Sequence, residues 1–169
     1  PTMSQDFYFL LMPGFSMMGF VSALEPLRVA NRFGGELYRW HVLSADGGPV
    51  IASNGMSVNA DAALEPLKKG ATLCVMASVE PLKFYTSTLE HWLRRLDLEG
   101  VTLGAIDTGS FVLAEADLLD GYRLTLHWEA LDAFKETYPK VQATQELFEI
   151  DRRRISSAGG TASIDLMLD

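Results

Sequence analysis

Short apolar runs alternate along the chain with longer segments in which apolar residues recur at helical spacing. The runs at 7–12, 38–44, 71–76 and 102–106 predict strands. The first is unbroken, which is typical of a strand buried on both faces of a parallel sheet. Helices are predicted at 16–32, from residue 87, and at 111–116. The alternation predicts an α/β fold, a three-layer α/β/α sandwich around a mostly parallel sheet.

Turn and capping residues mark the limits of several of these elements. Gly34-Gly35 follows the first helix as a stop signal. Asn54-Gly55 stands between two short apolar runs, which predicts a β-hairpin. Ser87 with Glu90 three residues later forms a capping-box pattern, so Ser87 is the predicted N-cap of the second helix.

Three further strands and two helices are predicted in the last third of the chain. The strands are predicted at 122–126, 147–150 and 154–157. His127-Trp128-Glu129 leads into a helix through Leu131 and Phe134 that stops before Pro139. Arg152-Arg153-Arg154 is predicted to be a solvated hairpin turn. Gly159-Gly160-Thr161 opens a last helix that is still apolar near Asp169 and has no terminating signal, so we expect the chain to continue in a longer protein.

The composition is that of one globular domain, residues 1–169, because 48% of the residues are hydrophobic. The net charge of −8 argues against nucleic-acid binding by this segment, since phosphate contacts need a basic face. No apolar run reaches membrane-spanning length, and the N-terminus lacks a basic lead and a cleavage motif. A cytoplasmic domain without a membrane partner is therefore expected.

The cysteine and histidine residues predict neither a disulfide nor a metal site. Cys74 is the single cysteine and lies within an apolar strand, where an inert core residue is expected. His41, His91 and His127 show no spacing suited to a shared metal ion. We therefore expect no cofactor.

Asp107 stands on the sharpest predicted turn of the chain. Asp107-Thr108-Gly109 must reverse the chain between the strand 102–106 and the helix 111–116. A polar residue on such a strand-to-helix turn lies at the carboxyl edge of the sheet, where α/β proteins bind ligands. An aspartate there is the N-cap of the helix or a carboxylate at the mouth of a pocket; the local sequence favours neither, and the two roles are compatible.

His127 and Trp128, which follow the strand 122–126, are further candidates for a ligand-binding site. His127 either faces a pocket at the strand end or is a hydrogen-bonded structural histidine. Trp128 either packs in the core or forms one wall of an aromatic cage around a cation. A serine triad is not supported, because nothing resembles Gly-x-Ser-x-Gly. Asp46-Gly47-Gly48 precedes a hairpin instead of a helix and is not a phosphate loop.

Several stretches, taken in order, resemble the GlxA-type transcriptional regulators of the AraC family. They are 12–31, 52–55, 104–114, 118–121, 126–129, 157–162 and 165–168. In that family a PfpI-like domain, flavodoxin-like in fold and related to the class I glutamine amidotransferases, precedes a helix-turn-helix DNA-binding domain. The resemblance implies that this chain is the sensor half of a regulator, and that DNA is bound only through a C-terminal domain beyond Asp169.

The family pattern is altered at the positions where its enzymes act. Enzymatic relatives carry a cysteine nucleophile at the position of Asp107 and an acidic residue near Gly19. The Gly-Gly pair beside their oxyanion site is replaced by Ala77-Ser78. Because nucleophilic catalysis requires the thiolate and its supporting acid, the chain is not expected to be an enzyme.

The leading hypothesis is a sensor for a small cationic metabolite, such as a quaternary amine of the betaine or carnitine type or a basic amino acid. Regulators of the type it resembles sense such amines. Asp107 would supply a negative charge, Phe15 and Trp128 would form apolar walls, and Thr108 and His127 would hold a polar or carboxylate end. The predicted ligand-binding residues are Phe15, Ala77, Ser78, Asp107, Thr108, His127 and Trp128.

Two alternative functions remain open from the residues alone. One is a hydrolase or lyase that uses Asp107 as a general base or nucleophile. The other is a dimerisation module with a vestigial pocket. A homodimer is expected in any case, because AraC-type regulators act on paired half-sites.

Overall fold

Alternate side chains of the first strand enter two separate cores. Phe7, Phe9 and Leu11 belong to one buried cluster, whereas Leu10 belongs to another. Successive side chains of a strand point to opposite faces, so the sheet is buried on both sides. The predicted three-layer arrangement is confirmed.

The structure is a computed structural model that describes residues 4–159 and 167–168. The strands are β1 (Gln5–Leu11), β2 (Tyr38–Leu43), β3 (Val50–Ile51), β4 (Ser57–Val58), β5 (Thr72–Ala77), β6 (Thr102–Asp107), β7 (Arg123–Thr125), β8 (Gln142–Thr144), β9 (Phe148–Asp151) and β10 (Arg154–Ser157). The helices are α1 (Met17–Gly34), α2 (Ser87–Leu98), α3 (Gly109–Glu115) and α4 (Leu131–Thr137), with a 3-10 turn at Trp128–Ala130 before α4.

The central sheet has six strands in the order β2-β1-β5-β6-β10-β9. All neighbours are parallel except β9, which pairs antiparallel with β10 at one edge. The chain passes from β1 outward to β2 and returns to β5 on the other side of β1. The topological switch point therefore lies between the carboxyl ends of β1 and β5, where α/β sheets bind ligands.

Helix α1 begins and ends where its capping residues predict. The Ser16 hydroxyl accepts a hydrogen bond from the Gly19 N–H at 3.2 Å. At the other end Gly35 adopts a φ of +84°, a left-handed conformation that a side chain disfavours. Its buried residues Phe20, Ala23 and Leu27 lie three or four positions apart and cover the β1 face that carries Phe9.

The predicted N-cap of α2 is wrong by one residue. Thr86, not Ser87, has the extended conformation of an N-cap, and its hydroxyl accepts from the Leu89 N–H at 3.1 Å. Glu90 does not complete a capping box, because its carboxylate accepts a hydrogen bond from the Tyr85 hydroxyl at 2.7 Å.

The smaller strands lie outside the central sheet. β3 and β4 form the predicted antiparallel hairpin, with Val50 opposite Val58. The strand predicted at 122–126 is shorter, and as β7 it pairs in parallel with β8 in a separate two-stranded sheet. β8 has only three residues and was not predicted from the sequence.

The prediction that all of Arg152-Arg153-Arg154 is a solvated turn is wrong for Arg154. This side chain is 3% exposed and lies in β10. Its guanidinium donates to Asp97 Oδ1 and to the Leu118 carbonyl, each at 2.9 Å, and stacks over the Tyr122 ring at 4.4 Å. The burial is possible because several hydrogen bonds and an ion pair satisfy the charge.

The helix predicted from Gly159-Gly160-Thr161 lies largely outside the described residues. Within the described part of the chain, no helix is long and apolar enough to cross a membrane.

Candidate functional site

Asp107 is the last residue of β6 and has a left-handed backbone, with φ +60°. A non-glycine residue adopts this conformation at an energetic cost, and such residues are frequent at functional turns. Ala77 pairs with Asp107 across β5 and β6, and the Thr108 N–H donates to the Ala77 carbonyl at 3.2 Å. The pairing places residues 77 and 78 directly beside the turn.

The interpretation of Asp107 as the N-cap of the following helix is wrong. Thr108 occupies the N-cap position of α3, and its side chain makes no capping hydrogen bond. The Thr108 hydroxyl instead donates to the Ser78 carbonyl at 2.6 Å. These bonds join the ends of β5 and β6 and leave the Asp107 side chain outside the capping role.

The Asp107 carboxyl lies in a desolvated position, with 8% of the residue exposed. Burial raises its pKa above the usual value, and a hydrogen bond with Ser78, the nearby His127 and the Thr108 N–H oppose that shift. None of the ion pairs among residues 4–159 and 167–168 involves Asp107. Within these residues the carboxylate has no lysine or arginine partner.

His127 lies close enough to Asp107 to stabilise the negative charge. Its Nδ1 accepts a hydrogen bond from the Glu129 N–H at 3.3 Å, which caps the 3-10 turn. A neutral imidazole that accepts at Nδ1 carries its proton on Nε2. In the tautomer that matches this bond, His127 presents an N–H donor at Nε2.

Trp128 is exposed beside this histidine. Its exposed fraction is 75%, so the core interpretation is wrong. The indole stacks on the His127 imidazole, with ring centroids 6.0 Å apart and planes inclined by 23°. The stacked pair presents an exposed aromatic face.

Phe15 does not join these residues. It is fully buried and packs edge-on against Phe20 with ring centroids 5.9 Å apart. Its backbone carbonyl accepts from the Ser53 N–H at 2.8 Å, which ties the turn after β1 to the β-hairpin. Phe15 therefore lies within the core and is not one of the proposed contact residues.

A cavity of about 250 Å³ lies at the switch point of the sheet. It is lined by Pro13, Gly14, Ile51, Ala52, Val79, Glu80, Lys83 and Phe84. Val79 and Glu80 directly follow Ser78 in the chain, but none of the predicted ligand-binding residues lines this cavity. Its size is below the ~300–1,000 Å³ typical for drug-sized ligands and suits a small metabolite.

The remaining candidates carry no chemistry. Cys74 is fully buried, and burial raises the pKa of its thiol to about 12, as expected for an inert core cysteine. The described residues include no group of three histidine, cysteine, aspartate or glutamate side chains that could hold a metal ion.

The structure thus brings five predicted residues together: Ala77, Ser78, Asp107, Thr108 and His127. It adds Gly159, which the sequence analysis assigned only to the start of a helix. A β-carbon on Gly159 would lie 3.2 Å from the Asp107 β-carbon. The sequence shows a glycine just after a strand, but it does not indicate that Gly159 lies beside Asp107.

Comparison with known proteins identifies the family. The DJ-1/PfpI family model matches residues 6–169. The HTH-type transcriptional regulator CdhR of Pseudomonas aeruginosa is 75% identical over 167 residues, which are 99% of this chain and 50% of that protein. The HTH-type transcriptional regulator GlxA of Rhizobium meliloti is 38% identical over 161 residues, 94% of this chain and 50% of that protein.

A solved structure gives the same result. The crystal structure of an AraC family transcriptional regulator from Pseudomonas putida superimposes with a TM-score of 0.89 at 30% identity, covering 97% of this chain and 89% of that chain. This chain spans about half the length of the curated relatives it matches. The chain belongs to the DJ-1/PfpI family, and its relatives include HTH-type and AraC family transcriptional regulators.

Proposed function

We propose that this domain senses a small cationic metabolite that pairs with Asp107, and that it does not catalyse a reaction. The observation that carries the proposal is the Asp107 carboxylate, which is nearly buried and has no lysine or arginine partner among the described residues. An ionised carboxylate without a counter-charge is costly in a desolvated position, and a cationic ligand would relieve that cost.

The neighbouring groups suit a ligand that also carries a carboxylate. His127 offers an N–H donor at Nε2, and Trp128 offers an exposed aromatic face. Aromatic faces attract quaternary ammonium groups, whose charge is spread over several methyl groups. A betaine or carnitine type of molecule has both groups, and a basic amino acid is the second candidate class.

Two features support a binding role over catalysis. By the family resemblance Asp107 occupies the position of the enzymes' cysteine, and an aspartate is a weaker nucleophile than a thiolate. The Thr108 N–H, which follows the turn, donates to the Ala77 carbonyl and is not open to an oxyanion. The hydrolase or lyase alternative therefore cannot use this N–H as an oxyanion donor.

The regulatory output is proposed from the relatives. CdhR and GlxA are HTH-type regulators about twice as long as this chain. DNA contacts would belong to the helix-turn-helix part of such a protein, in the cytoplasm, and two copies would act on paired half-sites. The net charge of −8 of the present domain agrees with the proposal that DNA is bound by the helix-turn-helix part and not by this domain.

Isothermal titration calorimetry with matched ligands tests the site. Glycine betaine, carnitine and arginine are compared with 3,3-dimethylbutanoate, which has the shape of glycine betaine but no positive charge. We expect at least one cation to bind and the uncharged-head analogue to bind at least about tenfold more weakly, a difference of about 1.4 kcal/mol. Asp107→Asn should remove that preference.

Asp117→Asn is the matched control variant. Asp117 has the same φ of +60° but is exposed and bonded to Arg94. The Asp117→Asn variant should leave the affinity for each ligand unchanged. Equal binding of the cations and 3,3-dimethylbutanoate, or full binding by Asp107→Asn, would refute the proposal.

A further inference from the structure

A second cavity lies at the carboxyl ends of β1 and β2 and shares Pro13 and Phe84 with the cavity at the switch point. We call it the β1–β2 cavity. Its volume is about 340 Å³, within the ~300–1,000 Å³ that is typical of small-molecule sites. Its lining residues differ from those of the proposed Asp107 site, so it is a separate place on the molecule.

Most of the lining of the β1–β2 cavity is apolar and belongs to the core. Leu11, Met12 and Val50 line it and are at most 5% exposed. Phe84 adds an aromatic ring and is 47% exposed. A rigid apolar lining with few polar groups is typical of pre-formed ligand sites, and an apolar ligand that covers it removes that surface from water.

Asp46 is the one charged side chain among the described residues that line this cavity. Its Oδ1 accepts a hydrogen bond from the Gly48 N–H at 2.8 Å. The Ser44 hydroxyl lies 3.5 Å from the same oxygen and donates to the Gly48 carbonyl at 2.8 Å. The loop 44–48 is thus held through one carboxylate oxygen. Within residues 4–159 and 167–168, Asp46 takes part in no ion pair.

The loop does not need the negative charge of Asp46. An asparagine accepts the same bond from the N–H two residues on, and both residue types are favoured in such turns. The second carboxylate oxygen is therefore free to bind a ligand at the edge of an apolar cavity. A protonated amine is the matching group, because hydrogen bonds between two charged groups are shorter and stronger than those between neutral groups.

We propose that the β1–β2 cavity binds a small primary amine with a compact apolar body. The ammonium group pairs with Asp46, and the apolar body lies against Leu11, Val50 and Phe84. Asp46 disfavours a carboxylate ligand, because like charges repel. This site does not depend on Asp107, so it goes beyond the proposed function and is tested separately from it.

The test is 1H–15N NMR of the 15N-labelled 169-residue chain, titrated at neutral pH with 3-methylbutan-1-amine. The matched ligand is 3-methylbutan-1-ol, which has nearly the same shape but no charge. We expect saturable shifts of the amide signals of Asp46, Gly48 and Phe84, and a dissociation constant at least about tenfold lower for the amine than for the alcohol. Asp46→Asn keeps the bond from Gly48 and should give the two ligands equal affinities. Phe84→Ala removes one wall and should weaken both.

Asp120→Asn and Phe33→Ala are the matched control variants. Both residues are exposed and lie outside the lining of the β1–β2 cavity. They should leave the affinity for the amine unchanged. Equal affinities for amine and alcohol in the unmodified chain, unchanged amine binding by Asp46→Asn, or no saturable shift overturns the proposal.

The same spectra separate this site from the Asp107 site. Amine-induced shifts confined to the amide signals of Asp107 and Thr108 would assign the amine to the Asp107 turn and overturn a site at the β1–β2 cavity. If glycine betaine, carnitine and arginine all fail to bind in calorimetry, the proposed function fails, and the titration with 3-methylbutan-1-amine still decides the role of the β1–β2 cavity.

Discussion

Gly109 lies so close to Val75 that a β-carbon on residue 109 would stand 2.1 Å from the Val75 carbonyl oxygen. The first turn of α3 is thereby held directly against β5. This close approach explains why the chain turns so sharply after β6, and why Asp107 projects at the carboxyl edge of the sheet with a left-handed backbone.

Replacement of Gly109 by alanine should therefore destabilise the domain. The added methyl group meets backbone, which cannot rotate away, and overpacking of this kind costs about 1–3 kcal/mol or more. At about 2–4 °C per kcal/mol for a chain of this size, Tm should fall by roughly 6–12 °C at the upper end of that range. Differential scanning calorimetry measures the change.

Gly19→Ala provides the control for that experiment. Gly19 lies in α1, and the nearest atom to its β-carbon position is the Ile106 γ2 carbon at 3.5 Å, an ordinary contact. Alanine inside a helix is favoured over glycine by about 0.5–1 kcal/mol, so Tm should stay the same or rise. Equal Tm values for Gly109→Ala and Gly19→Ala would contradict the proposed role of the close approach.

Asp107→Asn should stabilise the domain at neutral pH. Because the folded-state pKa of Asp107 is raised, its ionised form is disfavoured by folding. That destabilisation is absent below the unfolded-state pKa, grows as pH rises toward the folded-state pKa, and is constant above it. Asparagine removes the charge and tolerates the φ of +60°.

Thermal melts of Asp107→Asn from pH 4 to pH 7 measure this effect. The gain in Tm should be largest at pH 7 and should shrink toward pH 4. Asp117→Asn, at an exposed position with the same φ, should show no gain, because it only loses a surface ion pair with Arg94. A lower Tm for Asp107→Asn at pH 7 would mean that the carboxylate is stabilised in the folded protein.

Loss of Arg154 should cost far more than loss of its neighbour. Arg154→Leu leaves the Leu118 carbonyl without its donor and weakens the pairing of Asp97. Unsatisfied buried groups cost about 1–3 kcal/mol each. Arg153→Leu, at a half-exposed position, is the control and should cost less, and urea unfolding compares the two. Similar midpoints for the two variants would contradict the importance of the buried guanidinium.

Much of the fold could be predicted because its signals are local. The apolar run of β1 and the spacing in α1 reflect burial on two faces and on one face, respectively. The turn at Asp107 was also visible, since a strand pattern meets a helix pattern within a few residues. The N-cap was not, because Asp107 and Thr108 are both good capping residues and only the backbone conformation distinguishes them.

Contacts between distant segments could not be predicted. Gly159 meets Asp107 only because β10 inserts beside β6, and the sequence has no local signal of that neighbour. Phe15 and Trp128 were both interpreted as walls of one pocket, yet one is fully buried and the other is 75% exposed. Aromatic side chains suit both positions, and the direction of each is set by the packing around it.

Cys74 should resist modification in the folded domain. It is fully buried and burial raises the pKa of its thiol to about 12, so the thiolate that reacts with disulfide reagents is scarce at pH 8. We expect negligible release of thionitrobenzoate from Ellman's reagent in buffer and one equivalent in 6 M guanidinium chloride, as the chain has one cysteine. Rapid labelling of the folded protein would show that the central strand β5 becomes exposed readily.

The affinity for a cationic ligand should depend on pH through Asp107. Such a ligand pairs with the ionised carboxylate, but burial raises the pKa of that carboxyl in the free domain. As pH falls through this raised pKa, the ligand must first displace a proton, and the dissociation constant should rise by up to about tenfold per pH unit.

Calorimetric titrations with carnitine between pH 4 and pH 8, repeated in buffers of different ionisation enthalpy, measure both the affinity and the proton release. Asp107→Asn should bind more weakly and lose this dependence, whereas Asp117→Asn should keep it. Proton release that persists in Asp107→Asn would assign the linkage to another group and contradict a pairing of the ligand with Asp107.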